Sequence, residues 1–254
     1  MNEDNSKYYR SIFISDVHLG TKDSKTDELL EFIRIYECEN LFLVGDIIDG
    51  WSLKRGWLWK QGHSDVIQKI LRKARKGTKV FYILGNHDEF VRPFLPVSLG
   101  DNIQICNEYE YRAANNKKYL ITHGDFFDSV TLTKKWLAVL GDVGYQWLLR
   151  LNRGVNIFRR VIGYKRYWSL SKFVKDNVKK AISFINDYEN VIVEEAKRRD
   201  FNGVICGHIH KADIKKIQDI EYINCGDWVE SCSAILERTD GTFEKIEDFT
   251  INSS

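Results

Sequence analysis

Five of the six histidines in this 254-residue chain fall in short, glycine-punctuated runs. Four such runs are Ser15-Asp16-Val17-His18, Gly85-Asn86-His87-Asp88, Thr122-His123-Gly124-Asp125 and Gly207-His208-Ile209-His210. A fifth, Gly45-Asp46-Ile47-Ile48-Asp49, brings carboxylates without a histidine. Imidazole, carboxylate and amide oxygen are the donors that hard-to-borderline divalent metals take. Taken singly, each run is ordinary. Asp-x-His and Gly-Asp-x-x-Asp are common turns, and Asn-His is a common loop. Taken together and in this order, they describe a pair of cations sharing one bridging acid, a site suited to hydrolysing phosphate esters. His208 and His210 are two apart, so an extended segment directs both to one side.

The elements that must position these residues read as strand, loop and helix, repeated. Ser11–Ile14 and Leu41–Val44 are apolar runs ending just before Asp16 and Asp46, and Leu29, Leu30, Phe32, Ile33 and Tyr36 recur between them at helical spacing. The interval suits a βαβ unit. Lys79–Leu84 predicts a third strand ending at Gly85, after a helix over Ser64–Arg75 with Ser64 as its N-cap. Tyr119–Thr122 and Val204–Cys206 end at His123 and at Gly207-His208. Every motif thus follows the C-terminal end of a strand, the edge where ligand sites of open α/β sheets gather. The tail alternates short strands, Ile214–Ile217, Glu221–Asn224, Ser233–Glu237 and Thr242–Glu247. These are expected to form a second sheet packed on the first, giving an α/β (or α+β) β-sandwich flanked by helices.

Composition is that of a globular protein, 43% hydrophobic and 29% charged. The length suits one domain over 1–254 with an insertion. Five cysteines without Cys-x-x-Cys spacing suggest buried thiols in a reducing compartment. Met1–Arg10 is polar, which predicts no secretory signal, and no apolar run reaches the ~20 residues of a membrane span. A cytoplasmic protein is expected. The net charge of +2 hides an asymmetry: Thr131–Lys180 carries twelve Lys/Arg against Asp142 and Asp176, so the rest of the chain is at −8. A basic block on an acidic body points to an anionic partner.

The five motifs resemble those of the calcineurin-like metallophosphoesterases, D-x-H, G-D-x-x-D, G-N-H-D/E, H and G-H-x-H, without a substitution from Asp16 to His210. The resemblance implies that Asp16, His18 and His210 hold one metal. It implies that Asn86, His123 and His208 hold a second and that Asp46 bridges them. His87 would protonate the leaving group or stabilise the transition state, with Asp88 orienting its ring, and Asp49 would be a supporting residue. Family precedent favours two Mn2+ ions; Zn2+, Fe2+ or Mg2+ suit the same donors. Such a pair would acidify a shared water and clamp the phosphate oxygens, with no covalent intermediate.

Residues 129–198 exceed what a loop requires and read as an inserted helical cap. Trp136, Leu137, Val139, Leu140, Val143, Trp147, Leu148 and Leu151 follow helical spacing, and basic and aromatic residues interleave after them. A second amphipathic helix spans about Leu170–Lys197. Helices covering the sheet with a solvated basic face are the plainer reading. A cap for an amphiphile is the functional one, with Trp136, Trp147, Arg150, Arg153, Arg159 and Arg160 as substrate contacts. With Gly50-Trp51 and Asn224-Cys225-Gly226-Asp227-Trp228-Val229-Glu230, the insert resembles that of the UDP-2,3-diacylglucosamine pyrophosphatases, peripheral membrane enzymes of lipid A synthesis. The resemblance implies a nucleotide-linked lipid as substrate, UMP and a lipid monosaccharide 1-phosphate as products, and a place on the inner face of the cytoplasmic membrane. One departure stands out: that branch commonly has Arg where this chain has His87. A soluble metallophosphodiesterase or phosphatase acting on nucleotides or other phosphoesters is the alternative. A non-catalytic scaffold fits less well, because buried charges are costly without a metal. The acidic body and the lack of a recognised binding motif argue against nucleic acid.

Overall fold

The computed structural model describes residues 7–127 and 185–251. The chain divides into two compact units, residues 1–125 with 192–254, and residues 126–191. Of the second unit only 126–127 and 185–191 are described, the latter helical within a stretch that runs to residue 198. The expected cap contacts Trp136, Trp147, Arg150, Arg153, Arg159 and Arg160 lie outside the described residues.

The first unit is built on two mixed sheets. The larger has the order β12-β11-β1-β2-β3-β5-β4, made of β1 (Lys7–Ile14), β2 (Tyr36–Val44), β3 (Lys79–Ile83), β4 (Val97–Ser98), β5 (Ile103–Cys106), β11 (Ala234–Glu237) and β12 (Phe243–Ile246). The smaller has the order β6-β7-β8-β10-β9, made of β6 (Glu108–Arg112), β7 (Lys118–Thr122), β8 (Gly203–Cys206), β9 (Asp213–Ile217) and β10 (Ile220–Asn224). β1, β2, β3 and β5 run parallel, as do β7, β8 and β10, with antiparallel strands at the edges. The tail therefore does not form one sheet by itself. β9 and β10 complete the smaller sheet, while β11 crosses to pair antiparallel with β1 in the larger. Four short alternating strands reveal their faces but not their partners, so the expected single tail sheet, read from pattern alone, is corrected here.

The pleat explains the layers. On β2, Phe42 and Val44 face the smaller sheet, while Leu41 and Leu43 face the helices. Phe13, Phe42 and Phe81 stack across three strands with centroids 4.8 and 4.6 Å apart, joined between the sheets by Tyr119, Ile121, Ile205 and Ile223. On the outer face pack α1 (Thr26–Ile35), through Leu29, Phe32 and Ile33, and α3 (Gln61–Arg75), through Val66, Ile70 and Ala74. Burying the rings and aliphatic chains of these layers contributes about 1.5–3 kcal/mol each relative to exposure.

Two boundaries differ from the sequence expectation. Tyr36 opens β2 instead of closing α1. α3 begins at Gln61, three residues before Ser64, which is no N-cap: its hydroxyl accepts from Trp59 Nε1 at 3.0 Å. At this end His63 Nδ1 accepts from the backbone N–H of Lys60 at 3.3 Å, and the ring is buried against Trp59. His63 is thus a buried part of the helix start.

Candidate metal centre

All five motifs sit just past strand ends, as their spacing required. The loop after β1 runs beside the loop after β2, with Asp16 N–H to Gly45 O at 3.0 Å and His18 N–H to Asp46 O at 2.9 Å. The loops after β7 and β8 are joined by Gly207 N–H to His123 O at 3.2 Å. His208 N–H donates to Asp16 Oδ2 at 3.0 Å, tying one sheet's edge to the other's. The backbone is bent hard to achieve this. Asp16, His18, Asp46, His208 and His210 all have positive φ, between 51° and 72°. Each such conformation costs ~1–3 kcal/mol in a non-glycine residue and persists only where the surroundings enforce it.

The side chains converge in three groups, each with its donor atoms within 4.8 Å of one another: Asp16, His18 and His210; Asp46, His123 and His208; and His18, Asp49 and His87. His210 Nε2 lies 3.1 Å from Asp16 Oδ1, and His123 Nε2 lies 3.2 Å from Asp46 Oδ2. His123 is oriented by its other nitrogen, Nδ1, 3.0 Å from Val44 O, and His18 Nδ1 lies 3.3 Å from Asp49 Oδ2. Holding one imidazole nitrogen in this way fixes the ring and turns the other toward a cation. Asp16 is gripped by the Ser15 hydroxyl.

Carboxylates and imidazoles set each other's charge in these groups. Burial alone would push the His123 imidazole down, but the Asp46 and Asp16 carboxylates outweigh it and its pKa is pushed up to about 10. Burial likewise opposes protonation of His210, and Asp16 overrides it, to about 9. Burial raises Asp16 and Asp46, yet the surrounding imidazoles hold both below the usual carboxylate range. Among the described residues, His18 Nε2 and Asn86 Oδ1 are buried and make no hydrogen bond. Orphaned buried acceptors are rare because each costs ~1–3 kcal/mol. A divalent cation near each would remove that cost, so the donor set fits a metal pair.

Asp88 departs from its expected role. Its carboxylate accepts from Ile47 N–H at 3.2 Å, Ile48 N–H at 2.9 Å, Gly85 N–H at 3.3 Å and the Tyr82 hydroxyl at 2.5 Å. It does not orient the His87 ring. Asp49 does so, with Oδ1 3.0 Å from His87 Nδ1, and the same carboxylate caps α2 (Gly50–Arg55) by accepting from Ser52 N–H at 2.6 Å. Burial pushes Asp49 up, but His18, His87 and the cap hold it below the usual carboxylate range. Trp51 covers the His87 ring, with centroids 4.3 Å apart, and its Nε1 is fixed by Glu89. The signals for Asp49 were present, an acid three residues beyond Asp46 at a helix start, but its partners come from other loops.

Close approach also explains two glycines. Gly45 has φ +82°, and a Cβ there would stand 2.3 Å from the His123 ring; at Gly85 it would stand 2.2 Å from Asp46 Oδ1. Gly85→Ala is expected to cost about 1–3 kcal/mol of stability by overpacking. It should also lower metal content, because the displaced atom belongs to Asp46; unchanged melting temperature and bound metal would contradict this contact.

A model of the calcineurin-like phosphoesterase family matches residues 9–212. The chain belongs to that family. Calcineurin-like phosphoesterases use a dinuclear metal centre, and the three side-chain groups above supply candidate ligand clusters for one. Among relatives of this family member, the UDP-2,3-diacylglucosamine hydrolase of Haemophilus influenzae is 26% identical, over 94% of this chain and 99% of that protein. The protein of the same name from Porphyromonas gingivalis is also 26% identical, over 96% and 98%. A solved archaeal phosphodiesterase superposes with a TM-score of 0.46 at 12% identity, over 93% of this chain and 98% of that one. No described helix is long and apolar enough to cross a membrane.

Proposed function

We propose that this phosphoesterase hydrolyses the diphosphate of UDP-2,3-diacylglucosamine, releasing UMP and 2,3-diacylglucosamine 1-phosphate in lipid A biosynthesis. The observation that carries the reaction class is the pairing of two carboxylate–imidazole groups, Asp16-His18-His210 and Asp46-His123-His208, on adjacent loops. The substrate class is supported by the names of relatives aligned over more than nine-tenths of both chains. In this reading Asp16, His18 and His210 hold one metal, Asn86, His123 and His208 hold the other, and Asp46 bridges them. The donors suit Mn2+, and Zn2+, Fe2+ or Mg2+ are accepted by the same set.

When bound, the pair supplies an acidified water and charge to stabilise the phosphate oxygens. The protein's own groups do the rest. Asp16, Asp46 and the imidazoles fix where the reacting phosphorus sits. His87 has Asp49 Oδ1 3.0 Å from its Nδ1 and Asp46 Oδ2 3.9 Å from its Nε2, which supports a role for it beside the leaving oxygen. Burial depresses the His87 pKa, but Asp49 and Asp46 more than offset it; in this reading His87 gives its proton to the leaving oxygen. One phosphorus–oxygen bond forms to the water oxygen, and the bond to the oxygen bridging the two phosphates breaks. Residues 129–198 would cap the acyl chains and meet an anionic membrane surface on its cytoplasmic side, with Trp136, Trp147 and the arginines from Arg150 to Arg160 as contacts.

His87, where the lipid-hydrolase branch commonly has Arg, favours a second reading, a soluble phosphodiesterase acting on small esters. Detergent-dispersed diacylated UDP-glucosamine and an aryl phosphodiester, each assayed with Mn2+, separate the two. Release of UMP with the higher kcat/KM on the lipid is expected. Preference for the aryl ester, with no UMP formed, would replace the first reading by the second.

A further inference from the structure

The side chain of Asp88 is fully buried, yet it points away from the reacting groups and into the backbone of a neighbouring loop. The exchange is reciprocal. Asp46, on the loop after β2, accepts from the backbone N–H of His87 on the loop after β3 at 2.8 Å. Asp88, on the loop after β3, accepts from the backbone N–H groups of Ile47 and Ile48 on the loop after β2. Gly50 N–H to His87 O at 3.1 Å closes the seam, and Tyr82, on β3, anchors the carboxylate from below. Asp46 and Asn86 lie on these two loops, one on each, and Asn86 directly precedes His87, whose backbone N–H is part of the seam.

We propose that Asp88 is a positioning residue for the metal centre. Its carboxylate clamps the two loops so that Asp46 and Asn86 present their oxygens at the separation a bridged metal pair requires, and Tyr82 completes the clamp. This rests on the reading of Asp46 and Asn86 as metal ligands. A carboxylate is needed because all four partners are donors and an ionised carboxylate is acceptor-only. An asparagine offers one oxygen, and its amide N–H groups would face two of the four donors. The geometry also separates Asp88 from proton transfer: its oxygens are taken by backbone and phenol, while Asp49 serves the His87 ring.

The test is calorimetric titration of Mn2+ into the chelator-stripped full chain for wild type, Asp88→Asn, Tyr82→Phe and His87→Ala, with pH profiles of kcat at saturating Mn2+. Wild type should bind two equivalents. Asp88→Asn should weaken at least one of them by about 10- to 100-fold, the range for groups that orient ligands from behind. Tyr82→Phe, which keeps the three backbone donors and should fold normally, should weaken binding by a smaller factor. Once saturated, both should keep the wild-type shape of the pH profile, whereas His87→Ala should bind Mn2+ normally and change that shape. Unaltered Mn2+ affinity in Asp88→Asn and Tyr82→Phe would overturn the clamp, whether or not their melting temperatures fall. So would an altered pH profile in Asp88→Asn with affinity intact. Wild type binding fewer than two equivalents would instead overturn the metal-centre reading and this inference with it.

Discussion

Replacing Asp46 with alanine is expected to remove at least about 10³ of kcat/KM, or ~4 kcal/mol of transition-state stabilisation, and His123→Ala should do the same. Asp46 is the carboxylate on which the site converges. One oxygen is 3.2 Å from His123 Nε2 and 3.9 Å from His87 Nε2, and the other is held by the His87 backbone. Its loss deprives both proposed metals of a shared ligand, and the loss of His123 deprives one. Both residues lie in loops past the strand ends, outside the phenyl rows that join the sheets, so the far-UV circular dichroism spectrum should be retained. Wild-type turnover in either variant would dismiss the site.

Mn2+ binding to the stripped protein should displace protons, up to two, from His123 and His210. Their raised values, about 10 and about 9, mean that without metal these imidazoles are held charged by Asp46 and Asp16 at neutral pH. That pairing contributes stability that is fully present below the ordinary imidazole value of 6.5 and is lost as pH rises through 9 to 10. The carboxylates have the opposite sign: held low, they contribute above their ordinary value of 3.8 and lose that contribution in acid. The metal-free protein should therefore be most stable between these limits and soften toward alkaline pH. Metal affinity should climb as pH rises toward that window, by about tenfold per pH unit for each proton released, and level off above it. Titrations in two buffers of different ionisation enthalpy count those protons directly. An apparent enthalpy independent of buffer would show that the imidazoles were already neutral, contrary to the packing of Asp16 and Asp46 around them.

What was legible beforehand follows a pattern. β1, β2, β3, β7 and β8 were readable because each carries a concentrated apolar run and stops at glycine or at a motif. β5 and β6 were not, because Ile103–Cys106 and Glu108–Arg112 are short, only partly buried and mixed in polarity. The start of α3 was misplaced because its capping contact comes from a histidine ring, not from a residue that commonly caps helices. The tail strands were recognised individually, but their division between two sheets depends on Phe243 and Ile235 packing into the layer between the sheets. No local pattern encodes that choice.

By itself the chain determined the inventory of the site: which donors exist, in what order, and that each must stand at a strand terminus. That much follows from local rules, since residue type fixes ligand chemistry and hydrophobic period fixes where strands end. The tertiary structure alone decided the pairings. It gave Asp49, not Asp88, to His87; it turned Asp88 toward the backbone of another loop; and it brought His208 and His210 to Asp16 across 192 and 194 positions of sequence. These depend on the register of parallel strands and the packing of one sheet on another, and a contact set by register cannot be read from either partner alone.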